Sequence, residues 1–249
     1  MIETSRSPFA LPAGILAIGL IVATLVAAAA YRSANLAESR RMTVTGSAER
    51  LVDADTAKWS VALSRSVPPT NQAEAGRQLD RDRAAFLDLL KEAGIPTEAV
   101  NIQPLGLSEI YETIDYKTGR TGLTGYAANQ TLVIESPDVG KIGALAQNAT
   151  VAMAEKGIRL STQSLEYYYN KLGDVKLELL TAATRNARAR GEAILAGGGG
   201  SLGAVTSADT GVFQVTAVNS ADLSDYGSYD TTSARKKVTA VVHATFKLE

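Results

Sequence analysis

His243 is the only histidine in 249 residues, and the chain contains no cysteine. These two counts confine the chemistry. A Ser-His-Asp arrangement would have to use His243 as its base. A two-histidine zinc site cannot form within one chain. Cysteine nucleophiles, thiolate metal sites and disulfides are excluded. His243 itself reads as a general base or pH switch. It also reads, more simply, as one residue of a polar strand face shared with Thr239, Val241, Thr245 and Lys247. The latter reading is favoured.

Four other groups of residues invite a chemical reading. Gly197 to Gly203 reads GGGGSLG and could cradle a phosphate. It lacks the Lys-Ser/Thr of a P-loop and follows a helical pattern, which favours a helix stop and a tight turn. Asp53 and Asp55 are too few carboxylates for a calcium loop and mark a turn. Asp222, Asp225 and Asp230 sit in a long polar stretch and fit a solvated loop better than a metal site. Tyr167, Tyr168 and Tyr169 end a strand, and alternation sends Tyr168 to the face opposite its neighbours. Tyr167 and Tyr169, with Tyr226 and Tyr229 in the polar stretch, are candidates for contact with another subunit or a partner. No acid, base and nucleophile come together from these residues. The expectation is a protein without enzymatic activity, cofactor or metal.

The elements that would position these groups follow from periodicity. Met42 to Glu49 and Trp59 to Ser64 alternate as strands and suggest a hairpin through the Asp53–Asp55 turn. Thr70 can cap a helix over residues 71–93, whose face Ala75, Leu79, Phe86 and Leu90 is broken only by Asp82. Val100 to Tyr116 and Tyr126 to Glu135 read as paired strands. Pro137 and Asp138 open a helix, Ile158 to Tyr169 is a strand, and a third helix runs from about Gly173 to Ala196. Val175, Leu179, Ala183, Ala187 and Ile194 form the inward side of that third helix. Ser201 to Ala217 and Val238 to Leu248 close the chain as strands. The order β-β-α-β-β-α-β-α-β-β has too few crossovers for a doubly wound sheet. It fits an α+β fold of mixed or antiparallel sheets with helices packed on them.

Two features bound the setting. Net charge is −1 and no basic stripe is visible, so nucleic acid is not an expected partner. The stretch from Ser7 to Tyr31 is uncharged, and its apolar centre, Ala13 to Ala30, would form a helix of about 27 Å. Leu11, Ile15, Leu16, Ile18, Leu20, Ile21, Val22, Leu25 and Val26 would carry it into a bilayer. Ala28 and Ala30 before Tyr31 also make a signal-cleavage pattern, but length and flanks favour an anchor. Residues 1–32 are then the membrane anchor, 33–40 a linker and 41–249 the body. Arg32, Arg40 and Arg41 after the segment would, by the positive-inside rule alone, keep the body in the cytoplasm.

The body resembles the SIMPL-domain family. MTVTGSAERLVDADTAKWSVALS (42–64), AGI (93–95) before Val100 to Pro104, GYAANQTLVIESPDVGKIGAL (125–145), GIRLSTQSLEY (157–167), GGSLG (199–203) and VTAVVHATFKL (238–248) carry the likeness in order and spacing. The family commonly has a Pro-Gly turn before its last strand; here a long polar stretch, Asp209 to Lys237, stands instead. The resemblance implies an exported body, hence a single-pass inner-membrane protein with its body in the periplasm. It implies high-order homo-oligomers of ring or cage form, a role in stress defence, and no catalytic residues. The competing expectation is an accessory module for an envelope protein or lipid, with the polar stretch as its recognition loop.

Overall fold

Trp59, Val61 and Leu63 alternate with Lys58, Ser60 and Ala62, and this period of two places the first set in a core and the second on an outer face. The protein is described by a computed structural model over residues 19–32, 40–115, 117–220 and 224–249. A helix, α1, is described over residues 19–32. The elements that follow are β1 (Arg41–Asp53), β2 (Thr56–Val67), α2 (Gln72–Glu92), β3 (Val100–Ile102), β4 (Gly106–Asp115), β5 (Arg120–Ser136) and α3 (Val139–Glu155). Then come β6 (Arg159–Tyr168), α4 (Leu172–Ala196), β7 (Leu202–Thr210), β8 (Gln214–Ala217), β9 (Ser228–Tyr229) and β10 (Arg235–Leu248). One sheet has the order β1-β10-β8-β9, with β7 also on β10; the other has the order β3-β5-β2-β6, with β4 also on β5. Only β8 and β9 pair in parallel among the registered pairs. The fold is α+β with mixed and antiparallel sheets, as the element order implies.

The chain divides into two compact units, and β1, α4 and β10 contribute residues to both. The larger takes Glu49–Leu179 and Val212–Ala240. In it, α2 and α3 cover the inner face of the β2-centred sheet, with Trp59, Val61, Leu63, Leu132 and Ile134 meeting Leu79, Phe86, Ile142 and Met153. Trp59 and Phe86 meet edge-on with ring centroids 5.8 Å apart, and the Trp59 indole N–H donates to the Thr162 hydroxyl at 3.1 Å. A buried indole needs such a partner. Asp82, the break in the apolar face of α2, is buried there and accepts two hydrogen bonds from Arg65 on β2, at 2.5 and 2.8 Å. Asp138 caps α3, accepting from the Lys141 backbone N–H at 3.2 Å. The Lys141 side chain and backbone hold the Asp138 carboxyl below the usual aspartate range.

The smaller unit takes Leu180–Gly211 and Val241–Glu249 with the chain up to Ala48. Val44 of β1, Val242, Ala244 and Phe246 of β10, and Ala183 and Ala187 of α4 form its core. Of the inner face that alternation gives β10, Val238, Ala240, Val242, Ala244 and Phe246 are buried, and Leu248 at its end is half-buried.

Several expectations are corrected. The first two strands do not form a hairpin: β1 lies on β10, whereas β2 lies between β5 and β6. The turn between them is only Ala54-Asp55, and it passes the chain from one sheet to the other. The strand expected over Val100 to Tyr116 is two strands, ending at Ile102 and Asp115, because Pro104 cannot donate to a ladder; Tyr116 lies outside the described residues. Ser201 to Ala217 is likewise interrupted at Gly211–Phe213. The N-cap of α2 is Asn71, not Thr70, and no side chain caps it. Ile194 is 61% exposed; Gly191, four residues after Ala187, faces Val44 and Leu202 in its place. Rows spaced by four drift from rows spaced by seven, and α4 follows the former.

Leu20, Ile21, Val22, Leu25 and Val26 on α1 are all exposed. Among the described residues no helix is long and apolar enough to cross a membrane. Leu11, Ile15, Leu16 and Ile18 of the expected anchor, and the linker over 33–39, lie outside the described residues.

Candidate functional site

The polar stretch before β10 is not a structureless loop. It contains β8 and β9, and the chain after β9 is tied down at several points within the larger unit. The Asp230 N–H donates to Val215 O at 2.8 Å, the Tyr167 N–H to Thr231 O at 2.7 Å, and the Ala54 N–H to Ala234 O at 2.7 Å. Gly227 adopts φ +85°, which a side chain would strain. Gln214 donates to Ser224 O at 2.6 Å and accepts from the Ser228 hydroxyl at 2.9 Å.

Lys236 organises this turn. Its side chain is completely buried, and its ammonium donates to the carbonyls of Asp230 and Ser233 at 2.5 and 2.6 Å. The Asp230 Oδ2 lies 3.8 Å away, buried and without a hydrogen bond among the described residues. Burial pushes the Lys236 ammonium below its usual range, opposed by the Asp230 charge. Burial pushes the Asp230 carboxyl up, but hydrogen bonds from Thr232 and Ser233 and the Lys236 charge outweigh it and leave it below the aspartate value. The sequence carried a signal for Lys236: it sits two residues before Val238, on the buried side of the β10 alternation. A lysine in an apolar row reads as a surface residue unless carbonyls can be brought to it.

A depression of about 350 Å³ opens beside this turn, lined by Val215, Thr216, Ser228, Tyr229, Asp230 and Thr232 among others. Of the expected contact tyrosines, Tyr229 alone is among its lining residues. Tyr229 stacks on Tyr168, with centroids 6.3 Å apart, and its hydroxyl accepts from the Tyr169 N–H at 3.3 Å. Tyr167 packs against the larger unit's core. Tyr226 is 97% exposed. The sequence reading missed Tyr168 as a partner of Tyr229. Of the loop aspartates, Asp230 is half-buried with its Oδ2 buried, Asp225 is exposed, and Asp222 lies outside the described residues.

Lys236→Met is expected to release this turn. Amide exchange at Tyr167, Asp230 and Ala54 should accelerate at least tenfold relative to the core amides of β5, which hydrogen-exchange mass spectrometry can read. Acid should act in the same direction. A carboxyl held below its unfolded value contributes stability above that value and loses it as pH falls. Protection of the same amides in the unmodified protein should therefore decline below pH 3.8.

The remaining candidates take simple roles. Asp55 accepts from the Asn170 N–H at 3.1 and 3.0 Å, and Asp53 lies 3.7 Å from Arg235. After α4, the Gly198 and Gly200 N–H groups return to Leu195 O and Gly199 takes φ +75°, a helix stop. His243 is exposed; its Nδ1 is 2.9 Å from the Thr45 hydroxyl and its register partner on β7 is Asp209. The residues lie on an open sheet face. Among the described residues, no three His, Asp or Glu side chains group as metal ligands.

A family model described as SIMPL, a protein of unknown function (DUF541), matches residues 42–246. No curated protein matches the chain.

Proposed function

The chain belongs to the SIMPL family, and from that premise we propose that it is a non-enzymatic assembly protein of the bacterial envelope. An N-terminal segment anchors each copy in the inner membrane, the body faces the periplasm, and many copies associate into a ring or cage. One observation carries this reading: large apolar side chains stand exposed on α1 and on the edge strand β4. Leu20, Leu25 and Val26 on α1 are each more than 60% exposed, and Leu107, Tyr111 and Ile114 on β4 are 40–59% exposed. Such surface marks contact with lipid or protein. Anchoring supports association, because tethering copies to one surface raises their effective concentration and lets weak contacts suffice.

Light scattering of the full-length protein in detergent, after size exclusion, tests the reading. The expected protein mass is a defined multiple of one chain. A monodisperse single-chain mass at micromolar concentration would overturn it. That result would favour an accessory module that meets an envelope protein or lipid through Tyr226.

A further inference from the structure

The β2-centred sheet of the larger unit is open at both edges. β4 pairs with β5 alone, and β6 pairs with β2 alone apart from its Tyr167 N–H, which donates to Thr231 O near the far end of the strand, among the described residues. An open edge is a row of unpaired N–H and C=O groups that natural proteins blunt or cover. β4 is ten residues long and carries exposed Leu107, Tyr111 and Ile114. Against the β6 edge lies a cleft of about 350 Å³, lined by Thr150, Ala154, Gly157, Ile158, Arg159 and Leu160.

Direction, face and charge match these two edges to each other. Each of the pairs β4·β5, β5·β2 and β2·β6 is antiparallel. If the sheet continued into another copy, β4 of that copy would therefore run antiparallel to β6, the stronger of the two ladders. Leu107 is opposite Ala128 and Leu160 is opposite Leu63, so each lies on the helix-covered side. Tyr111 is on the same side as Glu109, whose carboxylate its hydroxyl meets at 2.7 Å. Glu112 and Arg159 point the other way; both are exposed, and neither forms a salt bridge among the described residues. A register with Glu112 opposite Arg159 sets Tyr111 opposite Leu160, at the cleft. Pairing β4 with its own copy about a two-fold axis is less favourable: β4 carries Glu109 and Glu112 but no basic residue, so it offers itself no opposite-charge pair to fix a register.

We propose that β4 of one copy adds to the open edge of β6 in the next, with Tyr111 seated in the cleft beside Leu160 and Glu112 paired with Arg159. This rests on the self-assembly reading and gives it a surface. The contact joins two different edges, so it repeats head to tail and yields a ring where the rotation closes. The unit of association is main-chain hydrogen bonding, with the tyrosine and the ion pair fixing the register.

The chain has no cysteine, which makes cross-linking selective. Full-length protein carrying Glu112→Cys with Arg159→Cys should give a ladder of covalent multimers on mild oxidation, while either single variant stays at one chain. Glu112→Arg should shift the light-scattering mass in detergent from the multimer toward one chain, and adding Arg159→Glu should restore it. A multimer that yields no ladder and ignores Glu112→Arg overturns the β4–β6 contact while self-assembly stands. Covalent dimers of the Glu112→Cys single variant overturn it in favour of two-fold pairing. A single-chain mass for the unmodified protein overturns both proposals.

Discussion

Gly46→Ala should destabilise the smaller unit by about 3 kcal/mol, the upper range for overpacking a close-packed site. A methyl built on Gly46 would fall inside the van der Waals surface of the Ala183 carbonyl oxygen and the Ala187 nitrogen, and 2.7 Å from the Ala187 methyl. The first two are backbone atoms of α4, which cannot swing aside as a side-chain end can. β1 is also held to α4 on both sides of the glycine. The Ser47 N–H donates to Asn186 at 3.1 Å, and Arg190 donates to Thr45 O at 3.1 Å. Relief would therefore require lifting β1 from the helix and opening the core around Val44 and Phe246. The substitution also restricts the unfolded chain, a gain of about 0.4–1 kcal/mol, too small to reverse the sign. Gly140→Ala is the control. A methyl there meets nothing within 4 Å, and the residue lies inside α3, so alanine should be neutral or stabilising by up to about 1 kcal/mol. Urea titration followed by circular dichroism compares the two. An unchanged midpoint for Gly46→Ala would mean that β1 and α4 do not pack as described.

The close approach at Gly46 is also where sequence reading reached its limit. Alternation in Met42–Glu49 and Val238–Leu248 was enough to define two strands and their inward faces, because period two requires no knowledge of the partner. It did not say that these two strands belong to one sheet, since pairing across nearly 200 residues leaves no local trace. The short Ala54-Asp55 connection suggested a hairpin, and only the pairing of β1 with β10 and of β2 with β5 and β6 shows that the chain changes sheet there. The candidate contact tyrosines were visible as a cluster of residue type, but Tyr168 meets Tyr229 across 60 residues of sequence. Lys236 and Asp82 were hidden for a shared reason. Each is a charge in an apolar row, and what makes each tolerable is a partner supplied from another segment. The open edges β4 and β6 were beyond reach altogether, because an edge is defined by the strand that is missing beside it.

Asp82 allows the strongest test of that last kind of residue. Arg65 and Asp82 share two hydrogen bonds with side chains 29% and 6% exposed. Asp82→Ala should cost about 3–5 kcal/mol, because it leaves a guanidinium without its partner at the edge of an apolar core. Deprotonation offers no escape. The hydrogen bond to Asp82 raises the Arg65 pKa above its already high ordinary value, with desolvation opposing, and without Asp82 the group remains a strong base. The pair itself is a different matter, since its attraction mainly offsets the cost of taking two charges out of water. Arg65→Met with Asp82→Leu should therefore recover stability to within about 1 kcal/mol of the unmodified protein. Urea titration of Arg65→Met, Asp82→Leu and the double variant, read as a double-mutant cycle, measures this. Additive losses would mean that the two side chains act independently and that the bidentate geometry contributes nothing. Recovery in the double variant would place the pair's role in specificity: it fixes the position of α2 along β2, where an all-apolar face could slide, and so holds in register the sheet whose open edges β4 and β6 are proposed to join one copy to the next.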